Sequence, residues 1–305
     1  MKKTITAVIA GAMLTAGQAC AVENWVPYTD GSGMGAAGGA LPPPGLYFQN
    51  IGFFAPVHGH DNSGNYNGVD ITGYVDIPIL LYVPDITILG AQYAFGIVQP
   101  FDHMDRSYQG ETVSASGFFE TIILPVNLSW TLAGNWHVST GLGVYLPDGT
   151  FNDKSIAGYL NSCNFWGFEP YAGVSWLSDG WNVSAKLLID FNGRNPMTTY
   201  VSGDVFNVDF GVTKTIGKWI LGAGGYWRYQ FDNDTQESRT ILPGGNRVEE
   251  FGLGPIVGYN FDAFTFEVYY ERALFWKNEV AGDRLFTRLT VPLYTPEKVE
   301  LASFK

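Results

Sequence analysis

The sequence predicts an all-β protein, a transmembrane up-and-down antiparallel β-barrel of about 12 strands and of the bacterial outer-membrane type. Three observations predict it: a composition low in charge and rich in aromatic residues, a repeated two-residue alternation, and connections that alternate between short and long. Of the 305 residues, 46% are hydrophobic, 15% aromatic and only 15% charged, whereas soluble domains average about 25% charged residues. The net charge of -12 excludes a basic nucleic-acid binder, because neutralising phosphates needs surplus Lys and Arg.

The start of the chain has the pattern of an export signal. Two lysines open it, an apolar stretch follows, and Ala19-Cys20-Ala21 supplies a small-x-small cleavage pattern. We therefore expect residues 1–21 to be a cleaved signal peptide and the mature protein to reach the cell outer membrane of a Gram-negative bacterium. Acylation of Cys20 in a lipoprotein is the alternative, but Gly17 stands where such sites usually carry an aliphatic residue.

Residues 22–44 are too rich in Gly and Pro to form a strand. Two interpretations remain open, a flexible periplasmic leader or a plug folded into the mouth of the barrel. The triple proline favours neither decisively, but it would stiffen a docked segment of polyproline type. The candidate plug residues are Pro42, Pro43, Pro44 and Gly45.

The next observation is the strand period. In 70–83, the residues Ile71, Val75, Ile77, Ile79, Leu81 and Val83 share one face, and Asp70, Thr72, Tyr74 and Asp76 share the other. Successive strand side chains point to opposite faces, so we interpret the first set as facing lipid and the second as facing the lumen. The same alternation predicts strands over 45–55, 70–83, 86–99, 117–132, 135–147, 165–177, 181–192, 201–216, 219–231, 248–261, 263–273 and 284–294.

The connections support a barrel that crosses a bilayer. Short turns are predicted at Pro84-Asp85, Ala133-Gly134, Ser178-Asp179-Gly180, Gly217-Lys218 and Asp262. Long polar loops are predicted near 56–69, 100–116, 148–164, 193–200, 232–247 and 274–283. Short periplasmic turns that alternate with long extracellular loops are typical of outer-membrane barrels.

Tryptophan gives a further indication. Five of them, Trp130, Trp136, Trp176, Trp181 and Trp219, flank the predicted short turns on the apolar faces of their strands. Indole rings prefer the membrane–water interface, so these residues predict a periplasmic aromatic girdle. A soluble sandwich or lipocalin-like barrel is the alternative, and it predicts shorter strands without a belt at one end.

The alternation also predicts which polar side chains face the lumen. The predicted lumen or substrate-path residues are Tyr74, Asp76, Tyr145, Lys186, Asp190, Arg228, Glu267, Glu271, Arg284 and Arg288. One interpretation is a network of paired charges that stiffens a narrow barrel. The other is a transverse field that orients a polar headgroup, carboxylate or phenol while aromatic side chains guide the apolar part.

Enzymatic and metal sites are weakly indicated. His137 and Ser139 share one strand face, as a base and a nucleophile would, but the sequence fixes no third member. His58-Gly-His60 and the acidic residues around Asp234 have spacings found in metal loops, without a complete ligand set. We therefore predict no enzyme, no catalytic residue, no metal and no cofactor.

The last strand leaves one alternative open. The barrel is expected over 45–305 with a short charged C-terminal tail, and its closing strand is either 284–294 or includes 298–305.

Several motifs resemble a known family. They are ENW, YTDGSGMGAAGGALPPPGLYFQN, GFFETIILPVNLSW, YLPDGTF, TTYVSGD, GAGGYWRYQFDND and GLGPIVGY. Together they are similar to the proteobacterial outer-membrane proteins of the "MetA-pathway of phenol degradation" family, over nearly the whole mature chain. The sequence departs from the family at Phe119-Glu120 and at 146–149. The resemblance implies an outer-membrane barrel linked to uptake of hydrophobic or aromatic compounds.

The residues and the resemblance together predict a channel for passive uptake of small hydrophobic, aromatic or lipid-like compounds. An occluded structural barrel with surface-interaction loops is the alternative, and an outer-membrane lipase or protease is a third. The expected partners are outer-membrane lipid, lipopolysaccharide, the barrel assembly machinery and a small hydrophobic or aromatic ligand. No nucleic acid is expected, and the sequence leaves the oligomeric state open.

Overall fold

A computed structural model describes residues 27–108, 110–151, 161–240 and 246–296. The predicted signal peptide 1–21 and the alternative closing residues 298–305 lie outside the described residues. Within the described ranges, no helix is long and apolar enough to cross a membrane.

The described chain folds into a closed barrel of 12 antiparallel strands, as the alternation predicted. The strands are β1 Gly45–His60, β2 Tyr66–Val83, β3 Ala91–Val98 with Phe101–Tyr108, β4 Glu111–Phe118 with Ile122–Thr131, β5 Trp136–Tyr145, β6 Gly167–Ser178, β7 Trp181–Asn192, β8 Val205–Ile216, β9 Trp219–Gln230, β10 Glu249–Asn260, β11 Thr265–Lys277 and β12 Val280–Tyr294. β12 pairs with β1 along most of its length, for example at Ile51↔Arg288. This pairing closes the sheet. Above the closed part, 111–118 is hydrogen-bonded on one side, to 101–108.

The third and fourth strands are longer than predicted. β2 pairs first with 101–108 and then with 95–98, so both parts of β3 continue one strand across Gln99-Pro100. The second part of β3, residues 101–108, forms a hairpin with 111–118. A polar loop was predicted there, over 100–116. That prediction was wrong because the small and polar residues of 111–118 do not show the apolar face that marks the other strands in the sequence.

Two other predicted loops are also mostly strand. β1 and β2 are joined by 61–65 rather than 56–69, and β11 and β12 by 278–279 rather than 274–283. At the opposite end, the connection after β2 spans 84–90, which is wider than the predicted Pro84-Asp85 turn. The strands around the β12–β1–β2 junction therefore project further at the end away from the short turns.

The short turns and the tryptophan belt lie at one end of the barrel. Gly134, Gly180 and Gly217 adopt positive φ there, a conformation that glycine takes without steric cost. Trp136, Trp181 and Trp219 are each more than 40% exposed beside these turns. These exposed indoles agree with the girdle predicted at this end, although Trp166 and Trp227 are exposed towards the other end.

The two faces of the barrel wall are arranged differently in its two halves. In β6 to β12, apolar side chains point outward, as predicted; Val183, Val212 and Leu285 are exposed examples. In the upper part of β2 the assignment is reversed, because Val75 and Ile77 are buried inside while Tyr74 is 50% exposed outside. The predicted lipid-facing side of 70–83 is thus its lumenal side, and Tyr74 and Asp76 do not face the lumen.

The interior of the upper barrel is an apolar core. Phe286 packs between Phe53 and Tyr269, with ring centroids 4.7 and 4.9 Å away. Val57, Ile71 and Met104 extend this cluster, and none of them is more than 4% exposed. This core fills the lumen at the end opposite the short turns. The cavity described below therefore lies between the core and the short turns.

Candidate functional site in the lumen

Residues 27–42, called here the inner segment, lie inside the barrel. Of the candidate plug residues, Pro42 lines the cavity, Pro43 is exposed and Gly45 begins β1. Met34 at its centre is fully buried and belongs to the same apolar cluster as Ile51 and Phe53 of the wall. Its backbone makes successive turns, with Ser32 N bonded to Thr29 O and Met34 N to Gly31 O. The lumenal site is therefore built by two parts of the chain, the strands and this segment.

Buried arginines hold the first part of the inner segment. Arg228 forms an ion pair with Asp30 at 2.9 Å and donates to the carbonyl oxygen of Tyr28 at 2.8 Å. Arg288 donates to the carbonyl oxygens of Ser32 and Met34 at 2.8 and 2.9 Å. These charge-assisted bonds lie away from water. Removing either arginine would therefore leave buried acceptors without a hydrogen-bond donor.

Asp209 of β8 binds the same turn from the other side. Its carboxylate accepts hydrogen bonds from Gly31 N at 3.0 Å, Gly33 N at 2.7 Å and the Tyr28 hydroxyl at 2.5 Å. Three donors that converge on one carboxylate fix the path of residues 28–33 against the wall.

Neutral groups hold the second part. Ser139 donates to Gly38 O at 2.7 Å, and Ser129 donates to Gly39 O at 2.9 Å. Gly39 N in turn donates to the Ser175 hydroxyl at 2.8 Å. Small hydroxyl side chains on β4, β5 and β6 thus bring the segment close to the wall.

Glycines make this close approach possible. A Cβ atom on Gly173 would lie 2.1 Å from the carbonyl oxygen of Gly38, and one on Gly39 would lie 2.5 Å from Ser175 N. Such distances are far below van der Waals contact, so a side chain at either position would require the segment to move away from the wall. The glycine-rich composition of the inner segment is explained by this contact rather than by flexibility.

A cavity of about 340 Å³ remains between the inner segment and the strands. One side, the apolar wall, is formed by β1 to β4 and consists of Ile51, Val75, Ile77, Ile79, Leu81, Val98, Ile122 and Leu124. The opposite side, the polar wall, consists of Tyr145, Glu169, Tyr171, Lys186, Asp209 and Arg288. An apolar cavity with few convergent polar groups is the usual form of a small-molecule site.

The polar wall is internally hydrogen-bonded. Tyr145 donates to Glu169 at 2.6 Å, and the Tyr171 hydroxyl donates to Asn127 at 2.6 Å. The Lys186 ammonium lies 4.0 Å from the centroid of the Tyr171 ring, in cation–π geometry. The tyrosine hydroxyls are thus committed to the wall, while their rings remain beside the cavity.

The remaining predicted lumen residues lie inside but mostly away from the cavity. Arg284 pairs with Glu250 at 2.7 Å, Arg288 with Glu267 at 3.1 Å, and Asp190 accepts from Asn207 at 2.8 Å. Glu271 is buried against Gly31, and its carboxylate has no hydrogen-bond donor among the described residues. Glu250 and Asp209 were missed as lumenal residues, although their alternation with outward apolar neighbours could have identified them.

The residues considered for other chemistry have structural contacts. Ser139 is bonded to the inner segment, and His137 lies 3.2 Å from the Thr131 hydroxyl. His58 pairs with Asp70 at 2.6 Å on the outer face, while the ring of His60 packs against another residue, Trp276.

Asp234 links the loop between β9 and β10 to the loop between β7 and β8. It accepts from the Tyr200 hydroxyl at 2.5 Å, Gly203 N at 2.7 Å and Gln230 at 2.6 Å. Its burial disfavours the charged form and raises the pKa of this carboxyl to about 6, although the hydrogen bonds oppose the shift.

Comparison with solved structures identifies the same architecture elsewhere. The crystal structure of an outer membrane channel from Pseudomonas putida F1 superimposes with a TM-score of 0.72 at 14% identity, covering 84% of this chain and 98% of that one. The beta domain of the Bordetella autotransporter BrkA gives 0.48 at 12% identity, covering 82% and 100%. The CymD monoaromatic hydrocarbon channel gives 0.42 at 10% identity, covering 83% and 90%. The first of these superpositions shows that the chain has the fold of an outer-membrane barrel.

Comparison by sequence identifies the family. The model described as "Putative MetA-pathway of phenol degradation" matches residues 54–289. A comparison with curated protein sequences finds no match. Because the family model spans most of the chain, the protein belongs to this family, as the motifs suggested.

Proposed function

We propose that this member of the family is an outer-membrane channel for passive uptake of small hydrophobic compounds, aromatic or lipid-like. The apolar wall carries the proposal. The lumen of a channel for hydrophilic solutes is polar, whereas here eight aliphatic side chains of β1 to β4 face a cavity inside the barrel. Removing such a surface from water favours an apolar solute by about 25 cal/mol per Å² buried.

The membership in a family named for phenol degradation supports the same class of solute. The fold shared with an outer membrane channel is compatible with it. Transport would need no energy source, because a solute that partitions into the cavity can leave it down its own gradient.

In this proposal, the inner segment gates the lumen. It lines one side of the cavity from Pro27 to Pro42, so the path for a solute depends on its position. The buried charges, including Arg228, Arg284 and Arg288, would hold it in place rather than conduct ions, because their acceptors are within the segment or the wall.

An occluded structural barrel is the second candidate. The number of buried bonds to the inner segment and the apolar core around Phe286 favour it, since both restrict a continuous path. We propose in either case that the chain is exported by a cleaved signal peptide, inserted by the barrel assembly machinery and surrounded by lipopolysaccharide.

Uptake of a labelled hydrocarbon tests the proposal. Cells that carry the protein in their outer membrane should take up ring-labelled ethylbenzene several-fold faster than the same strain without it. Ile77→Asp, which places a carboxylate in the apolar wall, should abolish the difference, because an unpaired charge in such a cavity is costly.

Two variants on the same strand serve as controls. Ile77→Val keeps the wall apolar, and Thr72→Asp adds a carboxylate to the outer face of β2, so both should transport normally at equal amounts of folded barrel. Equal uptake with and without the wild-type protein would favour the occluded barrel instead.

A further inference from the structure

Lys186 is the cation of the polar wall whose hydrogen-bonding capacity is unused. Its side chain is partly exposed to the cavity, and its ammonium lies over the Tyr171 ring. No acceptor lies within hydrogen-bonding distance of its nitrogen among the described residues. An ammonium carries three donors, and water or a ligand must satisfy those that the protein does not.

The neighbouring carboxylates do not serve this purpose. Asp209 already accepts three hydrogen bonds from the inner segment, and Glu169 accepts one from Tyr145. They lie near enough to compensate the charge of Lys186 electrostatically but do not bond to it. The Lys186 ammonium therefore offers N–H donors to a ligand, while the two carboxylates offset its positive charge.

We infer that Lys186 and Tyr171 form a subsite for one neutral oxygen, a hydroxyl or a carbonyl, on an otherwise apolar aromatic molecule. This inference rests on the proposed function and narrows its class of solute. The oxygen accepts a hydrogen bond from the Lys186 ammonium, and the rest of the molecule lies between the Tyr171 ring and the apolar wall.

The electrostatics select a neutral oxygen over an anion. A carboxylate at Lys186 would also approach Glu169 and Asp209, and like charges repel at short range. A neutral hydroxyl costs less to desolvate and keeps the hydrogen bond to a charged donor.

The volume agrees with an aromatic molecule of one or two rings. An apolar cavity of about 150 Å³ holds benzene, and the cavity here measures about 340 Å³. The aromatic side chain at Tyr171 offers a face against which such a ring can stack.

Three probes of one shape test the subsite. They are propylbenzene, 4-propylphenol, which is un-ionised at pH 7 as a tyrosine side chain is, and 4-propylbenzoate. Their affinities are measured by titration calorimetry on the full barrel in lipid nanodiscs, with partition into empty nanodiscs subtracted. We expect 4-propylphenol to bind about tenfold tighter than propylbenzene and tighter than 4-propylbenzoate.

Variants assign the preference to the residue. Lys186→Met should lower the affinity for 4-propylphenol to that for propylbenzene, whereas Lys186→Gln, which keeps a neutral donor, should retain part of the preference. Lys214→Met is the matched control, because Lys214 also lies over an aromatic ring, Trp181 at 5.1 Å, but in the region of the short turns. It should leave all three affinities unchanged.

The outcomes separate the two proposals. Equal affinities for the phenol and the hydrocarbon in the wild type would overturn the subsite and leave the hydrophobic channel standing. Tightest binding of the benzoate would also overturn it in favour of an anion site. Absence of binding by all three probes would contradict the proposed function itself.

Discussion

The two halves of the barrel wall present opposite chemistry to the lumen. In β6 to β12 most inward side chains beside the inner segment are charged or hydrogen-bonding, and Asp209, Arg228 and Arg288 bind that segment. In β1 to β4 the side chains that line the cavity are mainly aliphatic, such as Ile51 and Ile77, with Asp102 and Asn127 as polar exceptions. The first half thus makes the charged contacts to the inner segment, and the second offers most of the apolar surface to a solute.

This difference shows why a wholly polar lumen would not serve the same purpose. Most charges of the polar half pair with one another or with the inner segment, whereas Lys186 and Glu271 do not. The apolar half cannot be satisfied by water, so it either stays empty or binds an apolar molecule.

The largest effect is expected from breaking the polar half. Arg228→Met should destabilise the barrel by about 3–5 kcal/mol, because it removes the cation nearest to the buried Asp30 and the one paired with the buried Glu279. Urea unfolding from lipid vesicles measures the loss. Arg272→Met, an exposed arginine of β11, is the control and should change stability by less than about 0.5 kcal/mol.

A smaller effect is expected where the inner segment touches the wall. Gly173→Ala would place a methyl group 2.1 Å from the Gly38 carbonyl oxygen, so the segment must move at a cost of about 1–3 kcal/mol. Conductance in planar bilayers should rise, since the displaced segment leaves more open lumen.

Gly143→Ala provides the comparison for this substitution. Its Cβ would meet Glu169 at 3.4 Å, an ordinary contact, so wild-type conductance is expected. Equal conductance of the two variants would mean that the segment does not restrict the lumen.

A pH effect of about 1 kcal/mol is expected outside the wall, at Asp234. Its folded pKa is raised to about 6, whereas the unfolded value is near 3.8. Between these two pKa values the folded state binds more protons than the unfolded state. The free energy of unfolding should therefore increase as the pH falls from 7 to 5, and this gain is lost as the pH rises through 6. The measurement is the melting temperature of the barrel at pH values from 5 to 7. Asp234→Asn should remove the increase in melting temperature towards pH 5, and an unchanged pH dependence in this variant would contradict the role of Asp234.

The smallest effect is expected on the outer face of the apolar half. Asp76 accepts a hydrogen bond from Asn50 at 2.6 Å in an exposed position. Asp76→Asn keeps a hydrogen-bonding group and removes a charge beside lipid, so a gain of less than about 1 kcal/mol is expected in vesicle-based unfolding. A loss comparable with that of Arg228→Met would show that Asp76 faces a buried site after all.

Much of the wall could be predicted from the sequence because strand alternation is local. The positions of β5 to β12 and the short turn at Gly217-Lys218 follow from a period that needs no partner to be recognised. The inward orientation of Arg228 and Arg288 follows in the same way, since their apolar neighbours face outward. Residues 101–116 were not predicted as strand. Residues 101–108 pair with β2 and 111–118 pair with 101–108, and no continuous apolar face marks either segment in the sequence.

The sequence by itself determined that the chain has two-faced strands, an aromatic belt at one end and a glycine-rich segment before the first strand. Only the tertiary structure decided which face of β2 is inside, because an alternating strand is equally consistent with either orientation until its neighbours and the contents of the lumen are known. Tyr74 and Val75 differ by one residue and lie on opposite sides of the wall for this reason. The contacts of Gly38 and Gly39 with β4 to β6 are likewise long-range, and together with the bonds from Asp209, Arg228 and Arg288 they place the segment in the lumen.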